Sequence, residues 1–440
     1  TQTSSLGTGR TAVAISSGSY HTCAILDDGS VSCWGDNRRG QLGDGTTTDR
    51  STPTQTSSLG TGRTAVAISS SSGYMHTCAI LDDGSVSCWG DNGYGQLGDG
   101  TTTDRNTPTQ TSSLGTNRTA ALSERDFDND GILNIFDGHQ QAIDVREETI
   151  SSGTDHTCAI LDNGAVSCWG AGSYGQLGNG YTSKENKPTL TSSLGTGRTA
   201  VALSSGQRHT CVILDNGSTS CWGDASEAQL GNGDTSNSNT PTLTSSLGTG
   251  RTAIALSSGG FHTCALLDNG SVSCWGDGDY GQLGNGGTSD KNSPTLISSL
   301  GTGRTAIALS SGLLHTCALL DNGSVSCWGK GAWGRLGNGG YSNKNSPTLT
   351  SSLGTGRTAI AISSGGYYTC AILDNGSVSC WGRGNAGQLG NGGTSDSNTP
   401  TLASSLGTGR TAVAISSGGH TCAILDNGLV SCWGDGGSGQ

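Results

Sequence analysis

No apolar run in the chain approaches the roughly 18 residues that a membrane-spanning helix needs, and only 31% of its 440 residues are hydrophobic. A helical span is excluded by that count, and a soluble chain is expected. Together with 75 glycines and a net charge of −12, so little apolar material would place the chain near the low-complexity class on composition alone. Catalytic signatures are missing too: there is no glycine-rich phosphate loop, no nucleophile motif and no unrepeated acid–base pair. An enzyme is not expected. Nor is there a Cys-x-x-Cys pair; His-x-Cys plus a second cysteine supplies three soft ligands with no fourth in phase, so zinc is the weaker reading of the 16 cysteines.

What the chain has instead is repetition. The stretch His-Thr-Cys-Ala-Ile-Leu-Asp-Asp-Gly-Ser-Val-Ser-Cys-Trp-Gly at 21–35 occurs eight times with small edits. Its first cysteines are Cys23, Cys78, Cys158, Cys211, Cys264, Cys317, Cys370 and Cys422. Ten positions on stand Cys33, Cys88, Cys168, Cys221, Cys274, Cys327, Cys380 and Cys432. From Cys158 to Cys370 the copies recur every 53 residues, and between Cys78 and Cys158 a 27-residue insertion intervenes. Such a period signals supersecondary units that bury their apolar faces only against neighbours. Within each unit, Cys-Ala-Ile-Leu and Val-Ser-Cys-Trp flank Asp-Asp-Gly or Asp-Asn-Gly, a hairpin signature. Pairing across the turn sets Leu26 against Ser30, Ile25 against Val31 and Cys23 against Cys33, within reach of a disulfide. Ala12 to Ile15 supplies a third strand, and Pro241 to Leu243 a weaker fourth. The predicted fold is all-β: a β-propeller of four-stranded blades, seven or eight in number, each with a disulfide inside its hairpin.

The motif Gly-x-x-His-Thr-Cys-Ala-Ile-Leu-Asp-x-Gly-x-Val-x-Cys-Trp-Gly, followed by Gly-Gln-Leu-Gly-Asp-Gly at Gly73 to Gly100, resembles the repeat of the regulator-of-chromosome-condensation family. The resemblance covers nearly everything outside the insertion. It implies a β-propeller, usually of seven blades, and functions that range from guanine-nucleotide exchange to light sensing and enzyme inhibition, so it fixes fold far more than function. Two features depart from it. Eight hairpins suggest an eight-bladed ring or seven blades with a surplus unit. A start at Thr-Gln-Thr-Ser-Ser-Leu-Gly and an end at Gly439-Gln440 suggest a window cut from a longer repetitive polypeptide, so the lack of a signal peptide says little. The expected organisation is two propeller repeats at 1–118, an inserted segment at 119–149 and six repeats at 150–440.

Eight matched cysteine pairs point to an oxidising, extracellular or cell-surface setting. Seven histidines share one repeat position (His21, His76, His156, His209, His262, His315 and His420), with Tyr368 in the remaining copy. A catalytic base is needed once, so these are expected to hydrogen-bond backbone within or between blades. Eight tryptophans, Trp34 through Trp433, read as blade core, and arginines such as Arg10, Arg198 and Arg304 as another recurring structural part.

The insertion occurs once. Asp126, Asp128, Asp130, Asn134 and Asp137, with the Ile132 carbonyl, match a twelve-residue calcium loop, and Gly131 falls at its sharp turn. The final aspartate resembles the calcium repeats of thrombospondin type 3 and dockerin-like segments, both extracellular. Calcium is the expected cofactor, rigidifying a protruding segment packed by Phe127, Ile135 and Phe136, with Asp144 and Glu147 or Glu148 as further oxygen donors. His139 reads as a surface residue.

If repetition means scaffold, variation marks the functional surface. One varied position, before Gly-Gln-Leu, runs Arg39, Tyr94, Tyr174, Glu227, Tyr280, Trp333, Ala386 and Ser438. The other, before His-Thr-Cys, includes Tyr20, Met75, Asp155, Arg208, Phe261, Leu314 and Tyr367. The first six of the former are the candidate binding residues, for a protein partner or for sugar stacking. Asn216, Asn269, Asn322 and Asn375 are formal glycosylation acceptors that hairpin chemistry already explains, and Asn117 is a fifth. The leading function is an extracellular interaction or adhesion module binding protein or glycan. The alternatives are a structural subunit of a filament or surface layer and an intracellular exchange factor, the latter disfavoured by a pI near 4.9. No nucleic-acid partner is expected.

Overall fold

The computed structural model describes residues 6–71, 73, 75–116, 118–121 and 149–435. The loop at 126–137, His139, Asn117 and Ser438 lie outside the described residues. The described residues form eight antiparallel sheets, seven of four strands and the last, between Ala412 and Trp433, of three; blade 1 shows the four-stranded plan. Strands β1 (Ala12–Ser17), β2 (His21–Leu26), β3 (Val31–Gly35) and β4 (Arg50–Gln55) are hydrogen-bonded in sequence order. Cys23 faces Cys33, Ile25 faces Val31, and the Leu26 N–H donates to the Ser30 carbonyl at 2.8 Å, the expected register. All eight cysteine pairs are disulfide-bonded, with Cα atoms 4.1 Å apart, and no cysteine is free.

The outer strand is longer than the sequence suggests, running Ser238–Leu243 in blade 4. A register shift opposite Cys221 and Gly223 makes room for Pro241, which donates no ladder bond and is tolerated on an edge strand.

The repeat count resolves to eight blades in a closed ring. The Ser70 N–H donates to Ser16 Oγ at 3.0 Å, and the same bond passes from each blade to the next around the molecule. It ends with the Ser17 N–H donating to Ser416 Oγ of blade 8 at 3.0 Å. No unit is surplus.

Core is distributed between blades rather than gathered at a centre. At the junction of blades 4 and 5, the Cys211–Cys221 bridge packs with Ile213, Leu230, Ala265 and Trp275, all buried. Thin cores of this kind recur at each junction, so neighbours complete one another. The Gly-Gln-Leu-Gly turn clamps the next blade's tryptophan: Trp328 donates its indole N–H to the Gln282 carbonyl at 2.9 Å. Gly284 sits against that indole at φ +67°, where an added Cβ would lie 2.8 Å from Trp328 Nε1. Gly284→Ala therefore meets both backbone strain and overpacking, and a loss of about 2–4 kcal/mol is expected in chemical denaturation. An unchanged midpoint would mean that the indole is not held there.

Candidate functional site

The topology gives the ring two unlike faces. Hairpin turns between second and third strands, with the connections entering each first strand, form one of them. There the repeated arginines meet repeated aspartates, as in Arg198 with Asp215 and Arg304 with Asp321, both at 3.2 Å. These pairs are half-exposed and worth only about 0–1 kcal/mol each. Asn216 Oδ1 accepts the Ser218 N–H at 3.1 Å, the expected turn chemistry. That face is nearly uniform.

Below the opposite face runs a second belt. His21 Nε2 lies 2.7 Å from Thr77 Oγ1 of the next blade, and each belt histidine meets the equivalent threonine. His420 closes the belt on Thr22, and where Tyr368 replaces histidine its hydroxyl lies 2.9 Å from Thr421 Oγ1. The expected backbone partner is thus corrected to a side-chain hydroxyl across the junction, because strand carbonyls are already engaged in the sheet ladder. Thr77 itself donates to the Gln41 carbonyl at 3.3 Å, which assigns the imidazole proton to Nε2. Burial holds His21, His156 and His262 down to about 3, and His209 and His420 to about 4. They are neutral struts: Nε2–H is spent on the threonine, and the remaining Nδ1 lone pair is buried inside the blade junction.

The second face is formed by loops joining first to second and third to fourth strands, and both varied positions fall on it. The structure brings the two series together across blade junctions. Tyr174 lies under the guanidinium of Arg208, 4.5 Å from ring centroid to Cζ. Trp333 meets Tyr367 edge to face at 5.3 Å. Tyr280 lies under Lys330 at 4.1 Å. Arg39 pairs with Asp91 at 3.5 Å and Asp104 at 3.1 Å, both on the next blade. Glu227 occupies Arg39's position in blade 4 but faces Asp277, Asp290 and Asp279, and burial together with those charges raises its carboxyl above the ordinary range. Tyr94 is half-exposed on the same rim.

Two further columns contribute that the sequence reading passed over. The residue after Trp-Gly is Asp36, Asp91, Asp224, Asp277 and Asp435 in five blades and Ala171 in blade 3, but Lys330 and Arg383 in blades 6 and 7. The glutamine of Gly-Gln-Leu becomes Arg335 in blade 6 alone. Aligning the repeats on their cysteines exposes both changes. The face is consequently divided. Glu227, Asp277, Asp279 and Asp290 form an acidic arc over blades 4 and 5, and in blade 5 the three aspartates come within 4.8 Å of one another. Lys330, Arg335 and Arg383 surround aromatic rings over blades 5 to 7.

Arg335 also reshapes its loop. Elsewhere the glutamine side-chain Oε1 accepts the N–H of the varied residue two positions earlier, as from Arg39 at 3.0 Å and Tyr280 at 2.9 Å. Arginine has no acceptor. The backbone of Trp333 turns over to φ 61°, within a 3-10 turn over Ala332–Gly334. For a residue of this size that conformation stores about 1–3 kcal/mol.

A family description of the RCC1-like domain matches residues 111–424, and descriptions of the RCC1 repeat match 12–41, 66–96 and 411–440, as well as 28–80 and 83–123. The chain is 31% identical over 386 residues to the E3 ubiquitin-protein ligase HERC2 of Homo sapiens, an alignment covering 88% of this chain and 7% of that protein. It therefore spans a small part of that ligase. It is 30% identical over 398 residues to the ultraviolet-B receptor UVR8 of Arabidopsis thaliana, covering 90% of this chain and 82% of the receptor. Among solved structures, Prp20p from Saccharomyces cerevisiae superposes with a TM-score of 0.65 at 18% identity, over 92% of this chain and 91% of that one. At that identity it supports the fold alone.

Proposed function

Since this chain belongs to the RCC1-like repeat family, whose members share a propeller and differ in what they bind, we propose that it is a protein-interaction module working through its divided face. The segregation of acidic arc from cation–aromatic cluster, on the one face where the repeats diverge, carries the reading. Prp20p is described as binding Gsp1p and histones, so propellers of this shape serve protein partners. A protein is favoured over a glycan because Arg208, Lys330, Arg335 and Arg383 already lie over the rings of Tyr174, Tyr280 and Trp333.

We place the module outside the cell, since eight bonded cysteine pairs suit an oxidising compartment. Capture from its host cell's secreted proteins tests both points. Glu227→Lys with Asp279→Lys is expected to change what is retained, whereas Arg198→Gln on the opposite face leaves it unchanged; retention indifferent to both sinks the reading.

Calcium at Asp126, Asp128, Asp130, Ile132, Asn134 and Asp137 belongs to the same proposal, supported by ligand type and spacing. Titration calorimetry on the whole chain should find one site with Kd in the range of about 10⁻⁴–10⁻³ M typical of extracellular modules. Asp128→Ala should abolish it. Absence of heat in the parent chain would remove calcium from the account.

A further inference from the structure

Where blades 6 and 7 meet, several repeat positions depart from their columns at once. Lys330 and Arg383 replace aspartate, Arg335 replaces glutamine, Tyr368 replaces histidine, and Trp333 adopts left-handed backbone. Arg335 is fully buried. Its Nε donates to the Ala332 carbonyl at 3.1 Å and its Nη1 to Gly366 at 3.4 Å, but Nη2 has no hydrogen-bond partner among the described residues. The ion pairs among the described residues, which run from Arg10 to Arg410, include none with Lys330, Arg335 or Arg383. A buried cation normally has a counter-ion, since an unpaired charge in a low-dielectric setting is strongly disfavoured. Here the surroundings are two aromatic rings and a second guanidinium: Trp333 at 4.8 Å and Tyr367 at 5.2 Å from Arg335, with Arg383 at 5.3 and 5.4 Å from the same rings.

We propose that this junction is the docking site for an acidic peptide segment of a protein partner, one carboxylate pairing with Arg335 and Arg383 while the flanking chain lies over Trp333 and Tyr367. The inference rests on the reading of this face as the interaction surface. Carboxylate suits the planar guanidinium fork. A peptide suits it better than a small free anion for two reasons. Trp333 and Tyr367 are each 37% exposed beside the charges, which offers aromatic anchoring. Lys330, over Tyr280, extends the positive strip into the neighbouring junction, so that successive acidic side chains meet successive cations. Arg335 is fully buried, so a carboxylate meets Nη2 only once the side chains covering it move aside.

The test titrates the whole chain with fluorescein-labelled hexaglutamate at low salt, reading anisotropy and tryptophan emission. Expected are binding that weakens with salt, an emission change that disappears in Trp333→Phe, and a loss of about tenfold in affinity in Arg335→Gln. Glutamine stands there in every other repeat, so that variant is expected to fold; Arg383→Gln provides a second, surface-side reading with the same expected direction. Hexalysine and Arg198→Gln are the controls for charge and for face. Equal binding by wild type, Arg335→Gln and Arg383→Gln overturns this inference while leaving the partner retention measured through the acidic arc untouched. Inorganic phosphate that binds with the same Arg335 dependence, where hexaglutamate does not, overturns the peptide assignment.

Discussion

Acidifying the protein from neutral pH is expected to unfold the ring between about pH 6 and 4, ahead of ordinary carboxylate protonation. The belt histidines are the cause. In the unfolded chain each titrates near the usual 6.5, whereas in the folded ring burial holds His21, His156 and His262 to about 3 and His209 and His420 to about 4. Folded values lie below unfolded ones, so between the two the unfolded state binds more protons and stability falls as pH falls. Above the unfolded value the belt carries no such penalty. At pH 5 each histidine contributes a loss of roughly 2 kcal/mol, and the belt together on the order of 10 kcal/mol, comparable to the whole stability of an ordinary domain. Aspartates held low by hydrogen bonds, Asp44 by Thr46 and then Arg50, Asp99 by Thr101 and then Arg105, act in a different window: their contribution disappears only as pH drops below the ordinary carboxylate value near 4. Circular dichroism against pH checks this. His262→Tyr, which copies Tyr368, should move the midpoint to lower pH, and a transition confined to pH below 3 would refute the belt's role.

Reduction should be the other large perturbation. Each bridge closes a ten-residue separation, worth about 2–3 kcal/mol in the chain-entropy model. Between thin inter-blade cores, eight such constraints rival the net stability of about 5–15 kcal/mol typical of a domain. Thermal denaturation with and without a permeant reductant is expected to show a fall in Tm of tens of degrees, or loss of a cooperative transition. Intact mass under non-reducing conditions should show no free thiol. Free thiols in the native protein, or a Tm indifferent to reductant, would remove both the bridges' role and the oxidising compartment inferred from them.

The hairpin was legible because three things coincide in fifteen residues: a turn that needs glycine, a short apolar run on each side of it and two cysteines equidistant from that turn. Phase then carried the rest of the blade. Blade number was not legible, because closure depends on Ser17 and Ser416 meeting across the ring, and no local pattern encodes that meeting. At the site, Trp333, Tyr280 and Glu227 were found by varying where neighbours repeat. Arg335 was missed: glutamine and arginine are both long and polar, and only the loss of an acceptor, with the backbone inversion at Trp333 that accompanies it, separates them. The histidine partner was misjudged for a related reason, since threonine at the next position looks like an ordinary strand residue until the adjacent blade is in place.

The serine belt has a kinetic corollary. Its closing bond joins residues 399 positions apart, whereas each disulfide spans ten. Blades can form in order as chain becomes available, yet the first has no partner on one side until the eighth arrives. Loop-closure entropy delays such distant contacts. Blade 1 should therefore be the last to gain protection in pulsed hydrogen exchange, although it is made first.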